Sequence, residues 1–447
     1  MEVSISEHFT FKKIFRITII PILMCVFGSI YGVVDGICVS NFAGDDAFSG
    51  LNLIYPATMI VGGLAFMFGS GGSALVGKLL GENKKEEANK VFSMIIIFAL
   101  IIGITLSIVG FFLVNPIVQL FASIRDDITQ EMIDAAIIYG RIIMLAQFTF
   151  ILQFAFQSFF VIAERIKIGF LFTLSAGVTN IVFDLLFVGL FKWGVIGAAA
   201  ATITGQAVGG FGALIYFIVK KDGIIHITKT RLRREPIMRA CFNGLSELIT
   251  NISGSIVSLL INAQLLRYVG QSGVFAYGVI MYIQYIFIAI YFGYSTGMAP
   301  PLSYHYGAKN YKEQRNILIK SLIIILSAGV TMLVLSLALT RPLTYIFIIN
   351  DETLVNITMK AIRIYSFCYL TMGISIYLSS FFTALNNGVV SGSISLFRTL
   401  IYQILFIFIT PIILGNDGIW WGIVFAELSA TITSIIFLLA FKKKYNY

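Results

Sequence analysis

A shift of 226 residues lays the second half of this chain on the first without a gap. It pairs Gly28 with Gly254, Gly44 with Gly270, Gly71 with Gly297, Gly81 with Gly307, Gly103 with Gly329, Pro116 with Pro342 and Tyr139 with Tyr365. Roughly one Gly–Gly coincidence is expected over such a stretch by chance. Each copy carries apolar segments of membrane length, so the chain is predicted to fold into two related lobes. Duplication of this kind is typical of secondary transporters.

The apolar segments decide the solvent. Hydrophobic residues make up 58% of the 447 positions and charged residues 12%, and the mean hydropathy is +0.92. That leaves too few polar groups to coat a water-soluble fold of this size. Runs such as 92–114, 137–162, 170–191 and 321–339 are long enough to cross a hydrocarbon core of about 30 Å as helices. About twelve spans are predicted, beginning near Ile14, Leu51, Val91, Ala136, Ile168, Gly194, Ala240, Val274, Ile317, Asn356, Ser393 and Gly418. The predicted fold class is an all-α integral membrane protein: residues 1–219 form an N-lobe of six helices, 220–239 a connecting loop, and 240–447 a C-lobe of six helices.

Lysine and arginine give the orientation, because short cytoplasmic loops collect them. Clusters at Lys12, Lys13 and Arg16, at Lys84, Lys85 and Lys90, at Lys229 through Arg239, and at Lys442 through Lys444 fall on one side. The other side has Arg125, Lys192, Arg267 and Arg341. Both termini are therefore expected in the cytoplasm. An even number of spans per copy gives two lobes of the same orientation, a parallel repeat about an axis along the membrane normal. The net charge of +9 is thus a topology signal, and its scatter over several loops does not form a nucleic-acid surface.

Several chemistries drop out. Cys25, Cys38, Cys241 and Cys368 lie in or beside apolar runs without paired metal spacing, and His8, His226 and His305 stand apart from any ligand cluster. The stretch Gly72 to Lys78 approaches a phosphate-binding loop, but Leu79 stands where Ser or Thr holds magnesium, and an apolar span precedes it instead of a strand. No nucleophile and base stand together, so the chain is not read as an enzyme. Without a nucleotide domain, active transport must draw on an ion gradient.

Ionisable groups inside the spans carry the functional argument, because a charge at membrane depth is costly and marks a path or relay. Asp35 sits late in the first span and Asp184 late in the fifth, both running outward. Asn180 lies one turn below Asp184 on the same face. Tyr139 opens the inward-running fourth span, and Thr202 lies about two turns into the sixth. The repeat supplies a control, since positions that serve only the fold should recur. Ile261 stands opposite Asp35. With the offset shortened by two, which matches Gly194 with Gly418, Phe408, Ile404 and Ala426 stand opposite Asp184, Asn180 and Thr202. The carboxylates belong to one lobe only, as a coupling site would require.

These residues, with their surroundings, resemble the multidrug and toxic compound extrusion (MATE) transporters. The likeness rests on Tyr31 through Asp35, Gly77 through Glu82, Asn180 through Asp184, Gly194 through Thr202, Gly418 through Gly422, and Ala426 with Glu427. It implies twelve helices around a central cleft and export of organic cations against inward proton or sodium flow, with no cofactor. Within that family the chain looks like the bacterial DinF-like and MepA-like branch, which implies a proton or cation network at Asp35, Tyr139, Asn180, Asp184 and Thr202. Any sodium would be held by Asp35, Asn180, Asp184 and Thr202. The resemblance also implies a monomer in the bacterial cytoplasmic membrane. Other branches place carboxylates in the second lobe, where this chain has Glu247 but no acidic partner in the tenth span; Glu247 and Glu427 are left between cleft lining and helix packing.

Two nearby aspartates in a poorly hydrated pocket resist ionising together, so a proton and a lipophilic cation would compete for one negative charge. Competition of that kind gives antiport. Pro21, with Gly28, Gly32 and Gly36, makes the first span a candidate moving part. Gln153, Gln157, Gln206, Met24 and Met67 are candidate drug contacts in the cleft. A flippase for a lipid-linked substrate, or an exporter of another native metabolite, is the alternative. Against the flippase, the spans hold few basic residues, Arg141, Arg363 and Arg398, of which Arg363 and Arg398 are expected near helix ends, where they can snorkel.

Overall fold

The structure, a computed structural model, describes residues 4–123, 128–348 and 351–447, leaving out the side chains of residues 45–47. Arg125 of the basic-residue tally falls outside the described residues. Those residues form helices and connecting turns with no strand among them. The first lobe comprises α1 (Phe11–Ala43), α2 (Asp45–Gly81), α3 (Lys85–Ala122), α4 (Gln130–Leu145), α5 (Gln147–Ile162), α6 (Ile166–Asp184) and α7 (Gly194–Val219). The second comprises α8 (Arg234–Asn243), α9 (Leu245–Tyr268), α10 (Gln271–Gly307), α11 (Tyr311–Ala338), α12 (Thr340–Phe347), α13 (Glu352–Tyr365), α14 (Cys368–Ala384), α15 (Gly388–Leu396), α16 (Tyr402–Leu414) and α17 (Gly418–Tyr445).

Nine helical stretches among the described residues are long and apolar enough to cross a membrane, and two bent pairs cross as broken spans. One of the nine, Gly388–Tyr445, holds 58 residues, far more than one crossing needs. It reverses at Gly415, where φ is +61°, and α16 packs back on α17. Counting that reversal as two crossings and each bent pair as one gives twelve among the described residues, the number the apolar runs predicted.

The broken spans are the fourth of each lobe. The α4–α5 pair bends by 59° and the α13–α14 pair by 45°. Neither contains proline. Hydroxyls satisfy carbonyls at each bend: Thr149 Oγ1 donates to Ala146 O and Ser366 Oγ to Ile362 O, each at 2.6 Å. A break at membrane depth survives only when its backbone groups are met in this way.

The lobes meet along a glycine seam that repeats the sequence register. A Cβ added to Gly81 would lie 2.0 Å from Tyr304 O, and one added to Gly307 would lie 2.0 Å from Lys78 O; Tyr304 and Lys78 are themselves related by the 226-residue offset. The same holds for Gly71, pressed on Gly244, and Gly297, pressed on Thr18. These contacts occupy the basic end of the molecule. Toward the far end the packing loosens: Tyr55 and Tyr285, within reach of each other across the lobes, are still 45% and 48% exposed, and Gly32, Gly254 and Gly278 have no neighbour that an added Cβ would meet. The result is a cleft that opens away from the basic loops.

A strap crosses the closed end of that cleft. Before α1 begins, Ser4 Oγ and Ile5 N both donate to Glu164 Oε1, at 2.6 and 2.7 Å, in the α5–α6 turn of the first lobe. Four residues later Phe9 N donates to Glu313 Oε1 at 2.8 Å, His8 Nδ1 lies 2.6 Å from Glu313 Oε2, and Lys320 Nζ donates to Phe9 O at 2.8 Å, all in α11 of the second lobe. Ile5 and Phe9 are buried, and the Phe9 ring meets His305 edge-on. Hydrogen bonds to a charged acceptor each contribute about 1.5–3 kcal/mol. Glu313→Ala is therefore expected to release the second-lobe end of the strap, raising amide exchange at Phe9 about tenfold or more. Unchanged protection there would show that Glu313 does not hold it.

Candidate functional site

Small residues draw three helices of the first lobe together. Gly177 of α6 lies under Phe27 and Tyr31 of α1, where an added Cβ would stand 2.5 and 3.1 Å from their rings. Gly205 of α7 lies under Ala176 O and Asn180 Cβ of α6, at 2.6 and 3.0 Å by the same measure. Close approach of this kind, which only glycine permits, brings α1, α6 and α7 within side-chain reach. Asp35 then stands beside Asn180 and Asp184. Tyr139, from α4, reaches Thr202 and lies near both carboxylates. The structure thus brings together all five residues expected to form a first-lobe network.

The group is buried and unsatisfied. Asp184 is fully buried and Asn180 nearly so, whereas Asp35, Tyr139 and Thr202 are half-buried. The side chains approach one another closely. Asp35 Oδ1, both carboxylate oxygens of Asp184, both amide atoms of Asn180 and Thr202 Oγ1 are buried without a partner. A carboxylate in that condition is costly unless a proton or a cation joins it. The oxygens of Asp35, Asn180, Asp184 and Thr202 are of the type that suits a hard cation, and the same atoms suit a proton relay.

One helical turn farther from the basic end, Val39, Val188 and Ala198 form a small cluster with no exposure. They follow Asp35 and Asp184 by four residues and precede Thr202 by four, so they pack one turn beyond the polar group. At Asp184 the helix passes into a π-turn, Leu185–Leu190, a widening often found at functional positions.

Tyr31 belongs to this site although the sequence singled out no role for it. It lies near Asp35 and reaches Gln153. Its spacing of four from Asp35 was the available signal. Gln153 is buried against Gly209 and Gln206 lies one turn from Thr202, each with an unpartnered amide oxygen. Gln157 is half-buried. Met24 and Met67 are 3% and 6% exposed, and the Met67 carbonyl lies against Gly244 in the lobe seam, so neither faces the open cleft in this state. Pro21 is buried inside an unbroken α1, with its carbonyl against Gly293 of α10.

The second lobe differs from expectation at Arg398. It does not snorkel: its side chain is 11% exposed and Nε donates to Glu427 Oε2 at 3.1 Å. Glu247 opens α9 just beyond Gly244, at the seam and within electrostatic reach of Arg398. Among the described residues, no group of three or more His, Cys, Asp or Glu is placed to hold a metal ion.

Comparison with known proteins agrees with this architecture. Multidrug export protein MepA of Staphylococcus saprophyticus is 23% identical over 428 residues, covering 95% of this chain and 93% of that protein. The MepA of Staphylococcus aureus strain N315 is 22% identical over 430 residues, with the same coverage. Probable multidrug resistance protein YoeA of Bacillus subtilis is 22% identical over 369 residues, covering 79% of this chain and 77% of that protein. Among solved structures, an outward-facing multidrug resistance MATE family transporter of the MOP superfamily superposes with a TM-score of 0.91 at 23% identity, over 99% of this chain and 98% of that one. A MATE crystal structure in the straight conformation gives 0.90 with the same identity and coverage. The family model described as MatE matches twice, at residues 21–186 and 248–409, once in each lobe. The chain belongs to the MatE family of membrane transporters.

Proposed function

We propose that this protein exports lipophilic organic cations, drugs among them, by exchange for an inward-moving proton or sodium ion that binds in the first lobe. Its MepA relatives are named multidrug export proteins, and the positive-inside rule puts the basic end in the cytoplasm of a bacterial cell. The closed seam then faces the cytoplasm and the cleft faces outward, which is the state in which substrate has left and the coupling ion enters. The observation that carries the reading is the pair of buried carboxylates with unpartnered oxygens.

The exchange follows from charge. Asp35 and Asp184 in one dry pocket resist ionising together, so the site readily takes one positive charge. An ion arriving from outside cancels the negative charge that an organic cation needs, and the two ligands displace one another. Linkage makes the effect reciprocal: each weakens the other by the same factor. For one proton against one monovalent cation no net charge crosses, and the membrane potential, about 2.3 kcal/mol per charge at 100 mV, does not enter.

The test is efflux of a fluorescent lipophilic cation from proteoliposomes with a proton gradient or a sodium gradient imposed separately. One gradient is expected to drive export at least about fivefold above the gradient-free rate, by the size of ordinary coupling energies, and the other to have no effect. No stimulation by either gradient, from protein shown to be folded, would place a lipid-linked substrate ahead of cations.

A further inference from the structure

The second lobe holds a buried ion pair for which the first-lobe site has no use. Arg398 stands in a π-turn, Phe397–Ile401, that interrupts the eleventh span between α15 and α16. Its Nε donates to Glu427 of α17, and Gln403 Nε2 holds the other carboxylate oxygen at 3.4 Å. The two charged side chains are 11% and 6% exposed. Arg398 lies ten residues into its span and Glu427 nine into the next, about 15 and 14 Å along the helices, so the pair sits near the middle of the membrane. Glu247, within electrostatic reach of Arg398, connects it to the seam where α9 meets α2.

Fold maintenance does not call for this pair. In the shortened register, Leu174 and Ile203 occupy the same places in the first lobe, and buried ion pairs are often replaceable by apolar residues without loss of stability. What the pair does have is an electrical consequence. A guanidinium stays charged at every accessible pH, and an unpaired one at this depth would repel an organic cation from the second lobe's wall. Glu427 removes that repulsion at its source.

The geometry points to Glu427 as a specificity-determining residue: by holding Arg398 in an ion pair, it keeps the second lobe receptive to cationic substrates. This rests on the cation-export reading. The test compares tetraphenylphosphonium and an anionic dye, carboxyfluorescein, in proteoliposomes carrying wild type, Glu427→Gln, Arg398→Gln or the double variant. Net charge in the lobe orders the expected result. Glu427→Gln should lower tetraphenylphosphonium affinity about tenfold or more and raise export of carboxyfluorescein. Arg398→Gln should keep or improve tetraphenylphosphonium export, and the double variant should return to within about twofold of wild type.

A merely structural pair would instead make both single variants fail alike, with no change in preference between the dyes, and that outcome overturns the proposal. Wild-type export by Glu427→Gln also overturns it. Should one single variant not fold, the other single and the double still decide, because charge ordering predicts that Arg398→Gln is not impaired. Failure of the wild type to export tetraphenylphosphonium would remove the underlying cation reading itself, and is distinguished from failure of the inference by the wild-type arm alone.

Discussion

Asp184→Asn is expected to reduce gradient-driven cation efflux to the level of protein-free liposomes while leaving the protein folded. The side chain is fully buried and neither carboxylate oxygen has a partner, so its charge contributes nothing to helix packing that an amide of the same shape would lose. Removing a buried unpaired charge lowers the cost of folding, and the thermal transition should stay level or rise. Phe408 at the repeat-related position shows that this architecture does not need a carboxylate there. What disappears is competition between ion and drug. With typical coupling energies of about 1–3 kcal/mol, its loss is about 5- to 150-fold in the effect of the gradient on drug affinity. Asp35→Asn should act in the same direction. Efflux assays paired with equilibrium binding of the drug at two ion concentrations would check this: in wild type the ion weakens drug binding, and in Asp184→Asn it should not. A variant that still couples would remove Asp184 from the mechanism.

The second large effect is expected at the seam. Gly81→Ala or Gly307→Ala adds one methyl group, and in each case the new Cβ would stand 2.0 Å from a backbone carbonyl of the opposite lobe. Backbone cannot swing aside as a long side chain can. Overpacking typically costs about 1–3 kcal/mol, and here the cost falls only on the state in which the basic end is shut. A bias of that size shifts the balance between the two faces by about 5- to 150-fold, so each variant should lose most of its transport rate. Symmetry makes the prediction sharper, because the two substitutions are related by the repeat and should have similar effects. The check is labelling from the basic side of Ser303→Cys, which is buried at this seam, in a background with the four native cysteines replaced. The thiol should be protected when Gly81 is present and reactive in Gly81→Ala. Equal protection, or undiminished transport, would mean that the seam does not close as seen.

Much of this organisation is legible in the chain. The repeat register set by Gly71, Gly81, Gly297 and Gly307 reappears as contacts between the lobes, since each glycine is needed where its helix crosses the partner. The starts of the spans fall within a few residues of the helices observed. Asp35, Asn180, Asp184, Thr202 and Tyr139 were identified because polar groups are rare in apolar runs, and the repeat showed that all of them but Tyr139, which recurs as Tyr365, are confined to one lobe. Tyr31 went unassigned because tyrosine is common in membrane helices, and only its position against Gly177 and Asp35 distinguishes it. Arg398 was misplaced because the eleventh span, expected to begin near Ser393, begins at Gly388, which puts the guanidinium ten residues in and beside Glu427.

The strap illustrates a different limit. Nothing in residues 4–10 indicates that Glu164 and Glu313, some 150 residues apart from one another, both bind them, because hydrogen bonds to backbone amides leave no pattern in the donor sequence. The bends at α4–α5 and α13–α14 lack proline and are likewise imposed by hydroxyls and packing.

By itself the sequence determined the membrane environment, the duplication, the crossings, the side that carries the basic loops and the shortlist of costly polar groups. Each of these is additive along the chain: hydropathy sums over a span and charge sums over a loop. Tertiary structure alone decided which face of each helix turns inward, and with it the gathering of Asp35 and Asp184, the Arg398–Glu427 pair and the closed seam. In lipid both the outer and inner faces of a helix are apolar, so the 3.6-residue pattern that fixes rotation in water is nearly silent, and rotation is set by contacts between residues far apart in the chain.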